Sequence, residues 1–161
     1  MPVTLDIVAT YRGPRRVMRR LISLGEHEGR ALATLIAGCL VTFIAQWPRL
    51  AREAHITEQD LQPLLGGALM GWVFIAPLIF YLLAFIAFLV CKAFGATGSA
   101  YYIRLAMFWS FLAASPLMLL HGLVAGFVGS GVGLTFVGIL WCGVFLWFWV
   151  SNMREAGWGQ A

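Results

Sequence analysis

Residues 105–150 read LAMFWSFLAASPLMLLHGLVAGFVGSGVGLTFVGILWCGVFLWFWV, forty-six positions without an aspartate, glutamate, lysine or arginine. A hydrocarbon layer about 30 Å thick is crossed by about 20 helical residues, so this stretch holds two spans and a connection. The connection is expected at Gly126–Gly133, where Gly-Phe-Val-Gly-Ser-Gly-Val-Gly permits a tight turn without a charge. Backbone N–H and C=O groups in lipid must be paired within the chain, which makes both spans helices.

Upstream, Leu64–Cys91 is uncharged for twenty-eight residues. That is too long for one upright crossing and too short for two, so it predicts a single helix, tilted or kinked at Pro77. Before it, Ala31–Trp47 is uncharged for seventeen residues and closes at Trp47-Pro48, followed by Arg49 and Arg52. The segment from Pro48 to Pro63 reads as the one sizeable polar loop, with Thr57 and Asp60 spaced to cap a short helix. Lys92–Arg104 is a polar connection with Tyr101 and Tyr102 at interfacial positions, and Ser151–Ala161 reads as a short polar tail. The fold class is therefore all-α, an integral membrane bundle of about four transmembrane helices.

Bulk composition agrees. Of 161 residues, 61% are hydrophobic and 11% charged, against about 25% charged in soluble domains, and the mean hydropathy is +0.85. Too little polar chain remains for a separate soluble catalytic domain. The formal net charge of +4 comes from Arg12, Arg15, Arg16, Arg19, Arg20 and Arg30, clustered before the first span. Aromatics lie inside the apolar runs and do not interleave with these arginines, so the cluster points to topology and lipid electrostatics and not to nucleic acid.

Within the first thirty residues, Arg15–Leu24 reads as an amphipathic helix with Pro14 at its first turn. Val17, Met18, Leu21 and Ile22 lean to one side and Arg15, Arg16, Arg19 and Arg20 to the other, the pattern of a helix lying at the membrane interface against anionic lipid. No short apolar core precedes it, so this segment is expected to be retained and not cleaved as a signal. The chain divides into a cytoplasmic segment (1–30), a transmembrane domain (31–150) and a short cytoplasmic tail (151–161). With four spans, nine of the eleven lysines and arginines fall on one side, which places both termini in the cytoplasm.

Ion-driven transport and intramembrane proteolysis require ionisable groups at membrane depth, and no Asp, Glu, Lys or Arg falls inside a span. His121, five residues after Pro116, reads as a neutral histidine hydrogen-bonded between helices. Glu26-His27-Glu28 reads as a solvated cap, because adjacent helical residues point in different directions. Ser110, Ser115, Ser130 and Ser151 lack histidine and carboxylate partners for a hydrolytic triad. Cys39, Cys91 and Cys142 have no metal or redox spacing and read as small buried hydrophobes. The reading is of a chain without catalytic residues, metal ligands or a cofactor.

Small residues four apart let helix backbones approach. On that ground Gly67 with Gly71 and Gly122 with Gly126 are expected at helix–helix contacts, whereas Gly129 and Gly133 belong to the turn.

One resemblance emerges from the residues themselves. Phe94-Gly95-Ala96-Thr97-Gly98-Ser99-Ala100-Tyr101, followed by Ala106, Trp109, Ser110 and Ser115-Pro116-Leu117, resembles the bacterial branch of the Yip (Ypt-interacting protein) family over roughly Leu64 to Val150. The resemblance implies a polytopic membrane protein with a polar N-terminal segment and clustered spans. Eukaryotic members bind prenylated Rab-type GTPases, a role not carried over here, since this chain stops after four expected spans instead of the usual five and has little soluble N-terminal surface. The expected function is a non-catalytic inner-membrane scaffold, assembly or membrane-organising factor, acting through helix packing with a second copy, a larger membrane complex or lipid. The alternative is a small passive channel or transporter.

Overall fold

The computed structural model describes residues 3–159, which form six helices and no strand. They are α1 (Val3–Arg12), α2 (Pro14–Ser23), α3 (Glu28–Thr57), α4 (Leu61–Ala93), α5 (Ala100–Phe127) and α6 (Val132–Trp158). The last four are long and apolar enough to cross a membrane, with 30, 33, 28 and 27 residues. At 1.5 Å per residue they measure about 40 to 50 Å, so their ends extend past a hydrocarbon layer of about 30 Å.

Pro48 does not end the first span. Its missing N–H leaves the Ile44 carbonyl without a helical donor, yet α3 runs on to Thr57. Pro48 lies directly against Gly126 of α5, and one turn later Arg52 reaches the end of α5, so tertiary contacts support the helix on both sides of the proline. The polar loop shrinks to Glu58–Asp60, with Glu58 in the left-handed conformation at φ 51°. Thr57 closes α3 by donating to the Glu53 carbonyl at 2.8 Å, and it does not cap the helix that follows.

The long apolar run of the second span is one helix, α4. Its irregularity takes the form of a π-helical segment at Met70–Ile75, immediately before Pro77. Wider turns of this kind absorb the donor that proline lacks and bend the axis. The glycine-rich connection lies where expected, at 128–131, with Gly129 at φ +87°. The C-terminal segment, by contrast, is no polar tail: α6 continues to Trp158 and buries Asn152, Glu155, Ala156 and Gly157.

Helix α5 is the centre. Tyr101, Ile103 and the unbroken run Leu105–Ser115 are buried. α3 lies parallel to it, shown by successive neighbours Glu28 with Arg104, Gly38 with Phe111 and Leu112, Ala45 with Gly122, and Pro48 with Gly126. α4 runs antiparallel on another side, through Phe80 on Phe111 and Tyr81 on Phe108 at centroid distances of 4.4 and 5.1 Å. α6 is also antiparallel, its end fixed where the N–H groups of Thr97 and Gly98 donate to the Gly157 carbonyl at 3.0 and 3.1 Å.

This topology sorts charge between the two ends of the bundle. One end carries α1, α2, the start of α3, the α4–α5 connection and the end of α6, with nine of the eleven lysines and arginines and four of the seven carboxylates. The opposite end carries only Arg49 and Arg52 beside Glu53, Glu58 and Asp60.

Candidate functional site

The N-terminal helices are built into the bundle. α2 buries Pro14, Val17, Met18 and Leu21, packing chiefly on α6. The apolar face expected to meet lipid is thus covered by protein. Arg19 donates through Nε to Glu155 of α6 at 2.8 Å, and Arg20 pairs with the buried Asp6 of α1 at 3.0 Å. Arg15 and Arg16 are exposed and form no ion pair among the described residues. Of the four arginines expected at the lipid interface, two are committed to protein carboxylates and two are left for an anionic surface.

Sequence patterning did not reveal α1, because the side it presents to the bundle is partly polar: Asp6 and Thr10 are buried, with Ile7 against the core. Its Thr10 hydroxyl accepts from Trp109 of α5 at 3.1 Å, and Tyr11 meets Phe148 of α6 edge-on at 4.9 Å. Both contacts lie more than a turn inside the charged end of the bundle. α1 therefore sits along its flank, with Val3, Leu5 and Val8 more than half exposed, and supplies the apolar surface that the sequence had assigned to α2.

The two glycine pairs part company. A side chain at Gly122 would collide with the Ala45 carbonyl, and one at Gly126 with Pro48, so these positions let α3 and α5 approach backbone to backbone. Gly67 and Gly71 have nothing within 4 Å of where a Cβ would sit. They border an open cleft between α3 and α4, lined also by Gln46, Arg49 and Trp72. The expectation of intrachain packing at that pair is corrected. Gly38, against Phe111, and Gly98, against the Ala156 carbonyl, are contacts of the close kind that spacing did not single out.

His121 is half-buried on α5 and faces Gly138 of α6, whose nearest Cβ position is 3.6 Å from Nε2. It has no hydrogen-bond partner among the described residues, correcting the expected interhelical bond, since a glycine opposite offers no polar side chain. The buried polar link between α5 and α6 is instead Asn152 Nδ2 donating to Ser110 Oγ at 2.9 Å, with Ser110 donating to the Ala106 carbonyl at 2.6 Å. Among the described residues no group of three His, Cys, Asp or Glu is placed to hold a metal ion. Cys39 and Cys91 are buried, but Cys142 is exposed on the outer face of α6.

The principal concavity is a groove of about 620 Å³ between α4 and α6. The two helices pack on α5 and diverge from each other, leaving Met107 as the floor. Phe80, Leu83 and Val90 form one wall. The other is a ladder of rings one helical turn apart: Trp141 stacks on Phe145 at 5.6 Å and 4°, and Phe145 on Trp149 at 6.0 Å and 20°. Arg154 and Trp158 close the groove at the charged end of the bundle. The spacing of 141, 145 and 149 was visible in sequence, but divergence of α4 from α6 was not. No known protein family, curated protein or solved structure matches the chain.

Proposed function

We propose that this chain is a non-catalytic inner-membrane protein of Yip-like character, a scaffold or membrane-organising factor that works through its lateral surfaces. The observation carrying this reading is the distribution of burial. The centre of the bundle is solid, with Leu105–Ser115 of α5 buried without interruption, whereas α4 and α6 turn most of their apolar side chains outward. A pore needs a wettable path lined by polar or backbone groups, and here the axis is filled by Phe108, Phe111 and Leu105. Cytoplasmic termini follow from the nine-to-two arginine and lysine split between the ends. The family and the inner-membrane setting rest on the Phe94–Tyr101 and Ser115-Pro116 motifs.

Purification of the full chain in mild detergent tests the reading. A second copy or another membrane protein retained in stoichiometric amount is the expected result. A monomer that conducts ions or small solutes after reconstitution in liposomes would overturn it in favour of the channel.

A further inference from the structure

We infer that the groove between α4 and α6 holds one acyl chain of an anionic glycerophospholipid, whose headgroup is met by Arg154. The inference shares with the proposed function only the placement of the four helices in a bilayer.

The lining selects the kind of occupant. Apart from Arg154 at its end, the groove presents side chains without charge, among them Leu83, Val90, Phe145 and Trp149, so a headgroup cannot enter while a hydrocarbon chain can. Size narrows it further. A transmembrane helix about 10 Å across and 30 Å long occupies on the order of 2,000 Å³, so a partner helix would rest on the rim of a 620 Å³ cavity and leave it unfilled. A single flexible chain fits between the walls. The stacked rings of Trp141, Phe145 and Trp149 offer it a wall about 12 Å long, from eight residues at 1.5 Å each.

Shape alone gives little preference in a bilayer, because the groove competes with lipid tails as apolar as its own walls. Selection falls to charge at the mouth. Arg154 is exposed and has no ion pair or hydrogen bond among the described residues. Lys92 does not share this mouth: its ammonium lies 5.7 Å from the ring centroid of Phe88, which lines a separate hollow with Phe85 and Arg104. The carboxylates at this end are engaged elsewhere: Asp6 by Arg20, Glu155 by Arg19 and Glu28 by Arg104, with Glu26 accepting from the Ser99 hydroxyl. An uncompensated cation, Arg154, therefore stands at the mouth of an apolar slot, the complement of a phosphodiester above an acyl chain.

The test uses the full-length chain, equilibrated with equal amounts of phosphatidylglycerol and phosphatidylcholine in detergent, with retained lipid counted by native mass spectrometry. Phosphatidylglycerol should be retained over phosphatidylcholine by roughly fivefold, the factor given by about 1 kcal/mol for one cation near the surface. Arg154→Gln should abolish that preference. Val90→Trp, at a half-exposed wall position that tolerates a larger side chain, should reduce the lipid retained. Lys92→Gln removes the same charge from the same end but on the face of α4 turned away from the groove, and should change neither quantity. Equal retention of the two lipids by the wild type would overturn the inference. So would an equal loss of preference in Lys92→Gln and Arg154→Gln, or unchanged lipid retention in Val90→Trp. Liposome flux is a separate readout, so failure here is distinguishable from failure of the scaffold reading.

Discussion

Trp109 donates its indole N–H to the hydroxyl of Thr10, 99 positions earlier in the chain, at 3.1 Å. Thr10 passes the interaction on by donating to the Asp6 carbonyl at 2.7 Å, and the Asp6 carboxylate holds Arg20. A residue of the central helix is thereby joined through α1 to α2. The N-terminal segment is part of the bundle, although its composition reads as a basic helix lying at the membrane interface.

Thr10→Val keeps the shape of the side chain and removes the acceptor, leaving the Trp109 N–H unpaired at a buried site. Loss of a buried hydrogen bond costs about 1 kcal/mol. Thermal unfolding in detergent should shift down by a few degrees, and trypsin should cut faster at Arg12, Arg15 and Arg16. Unchanged cleavage rates would mean that α1 does not hold the segment in place.

Sequence periodicity and span length were sufficient for the four long helices, because in lipid an uncharged run of about twenty residues has no other way to pair its backbone. Their ends were less legible. Pro48 and Ser151 both read as terminators on local propensity, and both are overridden by tertiary contacts that no local window contains: Pro48 on Gly126, and Asn152 and Glu155 on Ser110 and Arg19. The groove was invisible for a related reason. Its wall of Trp141, Phe145 and Trp149 looks like any lipid-facing helix until the divergence of α4 from α6 gives it an opposite side.

The glycine pairs make a sharp contrast for mutagenesis. Gly122→Ala puts a methyl into the Ala45 carbonyl, and Gly126→Ala puts one into Pro48, so α3 must move away from α5. Overpacking of this kind costs about 1 to 3 kcal/mol, and melting temperatures in detergent should fall clearly. Gly67→Ala and Gly71→Ala meet open space and should be nearly silent in the same assay. Should Gly67→Leu instead split an oligomer on size-exclusion chromatography, the cleft beside it is where a second copy seats. Equal tolerance at all four positions would remove the assigned role of the α3–α5 seam.

At the far end of that seam, the Arg52 Nη1 donates to the Gly126 and Phe127 carbonyls, both at 3.2 Å. These are last-turn acceptors of α5, where a cation also meets the negative end of the helix dipole. Arg52→Met retains the stem and loses both bonds, and should destabilise the bundle by about 1 kcal/mol. Gly129→Ala should act in the same direction by a different route, since its φ of +87° is strained for any side chain and its Cβ would press on the Arg52 guanidinium. The double variant should be less than additive, because each change disturbs the same cap; strict additivity would show that the two are independent.

The last prediction concerns which end of the bundle faces the cytoplasm. Ser23 and Thr97 are exposed at the end with nine lysines and arginines, Gln59 and Ser130 at the end with two. Cationic loops are retained on the cytoplasmic side, so in intact cells a membrane-impermeant maleimide should label Gln59→Cys and Ser130→Cys, and reach Ser23→Cys and Thr97→Cys only after permeabilisation. The native thiols interfere little, since Cys39 and Cys91 are buried and Cys142 lies on the outer face of α6 within its apolar stretch, out of reach of a polar, membrane-impermeant reagent. Full reversal of the pattern would place the termini outside and remove the cytoplasmic assignment while leaving the fold intact. A split pattern, with Gln59 and Ser130 labelled from opposite sides, would contradict the fold, because both loops close the same end of the bundle.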